Sequence, residues 1–257
     1  MLKLVDVHAH LSDDLIIGDI EAVRGEYLEK GVSLVIDSGC SLGSVKRCAN
    51  NASNFSEVYF TAGLHPENAK NSEDIDKILQ YSSHPKCVAI GEIGLDYHYT
   101  GFNKEEQKAA FIKQLEYANA CNLPVVLHSR DACFDTVTIL KEHKSLLKNG
   151  FLMHCFCESL ETAKELLKLG AHFSFGGSLT FKNSNRIEVL KNLPLEVLHL
   201  ETDSPYLTPT PFRGTLNSPK YIDLTYDFVA NKLGLDKEHL ASVLYSNALN
   251  FFKKIKI

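Results

Sequence analysis

No apolar run in this chain approaches the ~20 residues that a membrane-spanning helix needs. The opening Met1-Leu-Lys-Leu-Val-Asp runs into an acidic strand end rather than the apolar stretch of a signal peptide. A cytoplasmic protein with no membrane partner is the expectation. Basic residues are not in excess: 27 Lys and Arg against 32 Asp and Glu give a formal charge of −5. That argues against a broad basic surface for nucleic acid, though not against an enzyme that grips only a few nucleotides. The seven cysteines (40, 48, 87, 121, 133, 155 and 157) are odd in number and contain no Cys-x-x-Cys. They read as reduced thiols in a reducing compartment, not as a disulfide framework. Gly-x-x-x-x-Gly-Lys-Ser/Thr is also missing, so P-loop and zinc-ribbon readings lose their main support.

What is present is a regular alternation. Short β-rich runs begin near residues 3, 33, 57, 87, 124, 151, 172 and 196, with amphipathic helical stretches between them. Eight β/α units without a long linker predict a closed (β/α)₈ TIM barrel, one α/β domain spanning residues 1–257. Asn103 with Glu106 reads as a capping box opening a helix to about Cys121, with Phe111, Leu115 and Ala118 on its apolar face. Leu160, Ala163 and Leu167 do the same in a helix ending at Gly170, a C′ glycine. Ile222 to Lys254 reads as two or three closing helices.

Six candidate metal ligands fall at or just after the apolar runs: His8, His10, Glu92, His128, His154 and Asp203. All strand C-termini of such a barrel open on one face, so residues far apart in sequence converge there. Four imidazoles and two carboxylates suit Zn²⁺, Mn²⁺ or Co²⁺, with Mg²⁺ admissible through the carboxylates. In an extended strand, Asp6, His8 and His10 share a face, the histidines as ligands and Asp6 orienting them. Likewise Val88, Ile90 and Glu92 share a face if that strand is regular. A carboxylate carried inward there is costly unless bound, and its two oxygens suit it to bridge two ions. Asp203, in Leu200-Glu-Thr-Asp-Ser-Pro, is placed as metal contact and general base, with Glu201 behind it.

Around these lie weaker candidates. His65, in Gly63-Leu-His-Pro66, reads as a non-ligand acid or phosphate contact. Arg130, Lys182 and Arg213 are the basic residues near the expected mouth and suit phosphate oxygens. Gly176-Gly177 permits close backbone approach to a ligand. Asp96 and Asp131 are candidate supporting carboxylates, while Cys155 and Cys157 read as small packing residues.

With these motifs in order, the chain resembles the TatD family of metal-dependent deoxyribonucleases, within the amidohydrolase-like barrels. The matching segments are Asp6–Leu11, Gly63–Pro66, Ala89–Tyr97, Leu123–Asp131, His154–Phe156, Ser174–Lys182 and Glu201–Leu207, followed by Arg213-Gly214 and Asn217. The resemblance implies a distorted TIM barrel, two divalent ions and Mg²⁺-supported 3′→5′ exonuclease action on DNA. It also implies the six ligands above with Glu92 bridging, and His65 on the substrate phosphate. Two positions depart from the family's habit: Glu67 stands where a histidine is common, and Asn217-Ser-Pro where Asn-Glu-Pro is common.

The expected activity is therefore two-metal hydrolysis of DNA phosphodiesters by a monomer acting on single-stranded ends, with Mg²⁺, Mn²⁺ or Zn²⁺. The rival is an amidohydrolase, deaminase or aminoacyl-ester hydrolase on the same barrel. Dinuclear members of that group are expected to carry a carbamylated lysine on strand four, where this chain has Glu92. A third reading is a catalytically idle metal-binding scaffold.

Overall fold

The computed structural model describes residues 2–256, so the two end residues of the expected domain span lie outside it. Eight parallel strands follow one another in sequence order. They are β1 (Leu4–Ala9), β2 (Val32–Ser38), β3 (Val58–Ala62), β4 (Cys87–Asp96), β5 (Val125–Arg130), β6 (Phe151–Met153), β7 (Ala171–Phe175) and β8 (Leu198–Leu200). Each begins within about two residues of its expected start. Several run further than the apolar pattern suggested, so Glu92 and His128 lie inside β4 and β5 rather than beyond them.

Between and after the strands lie nine helices among the described residues: α1 (Ile20–Glu29), α2 (Leu42–Asn54), α3 (Ile75–Leu79), α4 (Lys104–Ala120), α5 (Cys133–Glu142), α6 (Leu160–Leu167), α7 (Arg186–Lys191), α8 (Ile222–Leu233) and α9 (Lys237–Phe251). Helices on the outside and packed side chains within leave β1, β3 and β4 buried along their whole length, as parallel strands are. The barrel closes beyond the end of β8. His8 carbonyl accepts from Asp203 N–H (2.9 Å), and His10 N–H donates to Ser204 carbonyl (2.8 Å). This is a (β/α)₈ TIM barrel.

Local chemistry set the helix ends. Asn103 caps α4, its side chain accepting from the Glu105 and Glu106 N–H groups, and Phe111, Leu115 and Ala118 are buried. In α6 the buried residues are Ala163 and Leu166, with Leu160 and Leu167 only half-buried, so the apolar face is rotated from the expected one. Gly170 has φ +91°, a conformation glycine adopts freely. The tail forms two helices, α8 and α9. Phe251 and Phe252 at the end of α9 pack with Val5, Val7, Leu34, Ile36, Val88, Val126 and Leu152, apolar side chains from five strands.

A candidate metal centre in the mouth of the barrel

Two of the strands that carry candidate ligands are not regular. Between Asp6 and Ala9, β1 advances three residues while β2 advances two, from Val35 to Asp37. Between Ile90 and Ile93, β4 does the same against Val125 to Leu127 of β5, and the Gly91–Glu92 peptide within that step is cis. Each is a bulge, and a bulge re-aims the side chains that follow it. Simple alternation from Val88 and Ile90 to Glu92 is thus interrupted, contrary to the regular-strand expectation. Asp6 likewise departs from its expected role. It accepts from Thr202 N–H (2.9 Å) and hydroxyl (2.5 Å) and from His8 N–H (3.3 Å), tying β1 to the segment after β8 without touching either imidazole.

Glu92 stands at the centre with its two oxygens facing different sets of donors. Oε2 lies 3.3 Å from His8 Nε2 and 3.8 Å from His10 Nε2, and Asp203 Oδ1 completes that set at 3.2 Å from His10 Nε2 and 3.8 Å from His8 Nε2. Oε1 lies 2.8 Å from His128 Nδ1 and 2.9 Å from His154 Nε2, which are 3.3 Å from each other. All six expected ligands therefore meet, in two nests sharing one carboxylate.

The opposite ring nitrogens decide which atoms have lone pairs to offer. His10 Nδ1 lies 3.1 Å from the Ser38 carbonyl, an acceptor, so Nδ1 carries the proton and Nε2 is free to bind. His128 Nε2 lies 2.9 Å from Asp96 Oδ2, which leaves Nδ1 for the nest. His8 Nδ1 meets the Ser38 hydroxyl at 3.1 Å. His154 Nδ1 is buried without a hydrogen-bond partner, with Glu201 Oε1 at 3.7 Å. Lone pairs and carboxylate oxygens packed this closely repel unless a cation lies among them, and the donor set of imidazole and carboxylate fits borderline divalent ions.

His65 differs from these. Its Nδ1 accepts from Glu67 N–H (3.2 Å), so the neutral ring carries its proton on Nε2, 3.5 Å from Glu92 Oε1. It is a hydrogen-bond donor at the edge of the second nest rather than a lone-pair ligand.

Electrostatics agree with the geometry. Burial pushes the Glu92 carboxyl up, but His154, His65 and His8, with the His128 hydrogen bond, outweigh it and hold it well below the carboxylate range. Burial likewise opposes ionisation of Asp203, and the His10 hydrogen bond and the surrounding imidazoles overcome it. In return His154 is held well above its ordinary value, burial being overcome by Glu92 and Glu201. Such a site demands positive charge, whether as protons or as metal ions.

A cleft of about 1230 Å³ opens above the nests. Arg130, Lys182 and Arg213 all line it, as expected. Glu201 is fully buried behind His154, accepting from Cys155 N–H (2.6 Å) and the Ser174 hydroxyl (2.5 Å). Asp131 does not reach the nests; it is exposed and paired with His98 at 2.8 Å. Gly177 leaves room for protein, not ligand: a Cβ there would come within 2.5 Å of the Leu207 carbonyl. Cys157 is exposed rather than packed, and Cys155 is half-buried at the cleft.

Three contributors escaped the sequence reading. Ser38 orients His8 and His10, and Cys40 Sγ lies 3.6 Å from Glu92 Oε2, its thiol pushed up to about 11 by burial. Arg186 lines the cleft and donates to the Ser178 hydroxyl (2.9 Å). The signal for the first two was their place at the end of β2, by the same strand-end rule that marked the other ligands.

A family model described as TatD related DNase matches residues 5–253. The metal-dependent hydrolase YabD of Bacillus subtilis is 38% identical over 253 residues, covering 97% of this chain and 99% of YabD. YcfH of Escherichia coli, also a metal-dependent hydrolase by name, is 34% identical over 97% of this chain and 95% of its own length. The solved structure of YjjV, a TatD homologue from Escherichia coli, superposes with a TM-score of 0.91 at 30% identity, covering 97% of this chain and 98% of YjjV. With a barrel of that shape and a shared carboxylate between two nests of imidazoles, the chain belongs to the TatD-related DNase family of metal-dependent hydrolases.

Proposed function

We infer that the protein hydrolyses phosphodiester bonds of DNA from single-stranded ends, in the 3′→5′ direction, with two divalent ions (Mg²⁺, Mn²⁺ or Zn²⁺). The observation that carries this reading is the company the nests keep. In a chain of net charge −5, Arg130, Lys182, Arg186 and Arg213 all line one cleft, and none forms an ion pair among the described residues. Unpaired cations beside a dinuclear site suit a substrate that carries several phosphates better than an amide.

His8, His10, Asp203 and one oxygen of Glu92 would hold one ion, and His128, His154 and the other oxygen the second. Bound there, such ions supply Lewis-acid polarisation of the phosphate and make water nucleophilic near neutral pH. Asp203 engages His10 through Oδ1 and offers its other oxygen to take the attacking water's proton. His65 donates its Nε2 proton to a phosphate oxygen. Arg130, Lys182 and Arg213 hold non-bridging oxygens as negative charge develops. Every one of these groups comes from a single chain, so a monomer suffices.

The test follows 5′-labelled single-stranded DNA with Mg²⁺ or Mn²⁺, against EDTA and Asp203→Ala controls. A ladder shortening from the 3′ end, lost in both controls, is the expected result. Intact DNA with metal demonstrably bound would turn the reading to amide or ester substrates.

A further inference from the structure

The cleft is electrically lopsided. The end of β5 and the segments that follow β7 and β8 contribute Arg130, Lys182, Arg186 and Arg213, with no lining carboxylate except Asp203 of the first nest. The segments that follow β1 to β3 contribute Asp13, Asp14 and Glu67 against a single lining cation among the described residues, Arg47 of α2. Arg47 is already paired with Asp14 at 3.6 Å, and Asp13 accepts from the Tyr206 hydroxyl at 3.0 Å. Glu67 forms no ion pair with an arginine or a lysine among the described residues. Its carboxylate is 41% exposed and 3.8 Å from His65 Nδ1, the unprotonated nitrogen of a ring that borders the second nest.

A strand with its reacting phosphate over Glu92 can follow the cationic wall with its remaining phosphates. Its terminal nucleotide then faces the acidic wall. We propose that Glu67 is a specificity-determining residue: it admits a strand end that terminates in a hydroxyl and disfavours one that terminates in a phosphate. A hydroxyl end brings only neutral sugar and base to that wall. A phosphate end adds up to two negative charges within a Debye length, roughly 8–10 Å, of a carboxylate in a water-filled cleft. The reaction is the same hydrolysis for both ends. The bond from phosphorus to the upstream 3′-oxygen breaks, the water oxygen bonds to phosphorus, and the water's proton passes to Asp203 while the departing oxygen is protonated from solvent.

The inference rests on the phosphodiester reading above, and the experiment separates the two. Two 5′-labelled oligonucleotides of one sequence, ending in 3′-hydroxyl or 3′-phosphate, are digested by the metal-loaded wild type and by Glu67→Gln. The wild type is expected to favour the hydroxyl end about tenfold, and Glu67→Gln to narrow that ratio to about twofold. Because the ratio is taken within each variant, a general loss of activity cancels. Equal rates on both ends in the wild type, or an unchanged ratio in Glu67→Gln, would overturn the proposal. If neither oligonucleotide is shortened, the nuclease reading fails by itself. The same pair is then compared by fluorescence anisotropy with Mg²⁺, where a preference for the hydroxyl end that Glu67→Gln reduces sustains the role and equal affinities overturn it.

Discussion

The two ends of the barrel are built from the same strands on opposite principles. At the base, Val5, Val7, Leu34, Ile36, Val88, Val126 and Leu152 meet Phe251 and Phe252 of α9 in a packed apolar plug. At the mouth, β1 and β4 break register, Asp203 and Cys155 adopt positive φ, and six ionisable side chains are gathered over one carboxylate. Apolar packing stabilises a fold, whereas buried charges cost solvation and stay only where function or pairing holds them. The barrel thus separates its stability from its chemistry along the strand axis.

The largest test of that division is Glu92→Ala. Both nests lose their shared oxygen, so turnover should fall by about 10³-fold or more while the circular dichroism spectrum is retained. Near-normal turnover would remove the bridging role. The complementary substitution is Phe251→Ala at the base, which should lower unfolding free energy by about 3–5 kcal/mol in urea titrations and leave kcat of the folded fraction unchanged. A kcat that falls with stability would mean the two ends are coupled.

Smaller effects sharpen the picture at the mouth. Arg130→Ala should raise KM for an oligonucleotide about tenfold and make the logarithmic salt dependence shallower by about one unit, with kcat nearly kept. An unaltered salt slope would take Arg130 off the phosphate path.

The base also holds a titratable pair, His172 and His199, packed on Phe251. His199 is fully buried, its Nε2 2.9 Å from His172 Nδ1 and its own Nδ1 without a partner. Burial, and then the His172 charge, hold it well below its ordinary value. The folded state therefore keeps His199 neutral while the unfolded chain protonates it below about pH 6.5, so stability is present above that pH and lost as pH falls. The loss should not exceed about 1.4 kcal/mol per pH unit from this group, and His199→Gln should flatten the curve of urea midpoint against pH between about 6.5 and 5. An identical slope in the variant would assign the acid sensitivity elsewhere.

Much of this is legible in the sequence. Hydrophobic runs separated by amphipathic stretches located the start of every strand to within about two residues, because buried parallel strands must be apolar throughout. The position of each ligand at a strand end was equally visible, since a barrel presents all such ends to one mouth. Asn103 announced its helix because capping is local. Ser38 and Cys40 were overlooked because neither is a conventional metal ligand in a recognisable motif, and their roles arise from facing His8, His10 and Glu92 across strands. Gly177 was misread for a similar reason: the atoms crowding it come from Leu207 and Pro209, thirty residues on.

Local composition by itself determined the elements, their order and the six side chains available for metal, since propensity, periodicity and residue chemistry belong to the chain alone. Tertiary structure alone decided which atoms of those side chains are offered. A bulge is a mismatch between neighbouring strands and has no meaning within one of them, yet the bulges in β1 and β4 set the aim of His8, His10 and Glu92. The choice of Nε2 on His10 and Nδ1 on His128 follows from acceptors on β2 and β4, which only the folded barrel brings within hydrogen-bonding distance.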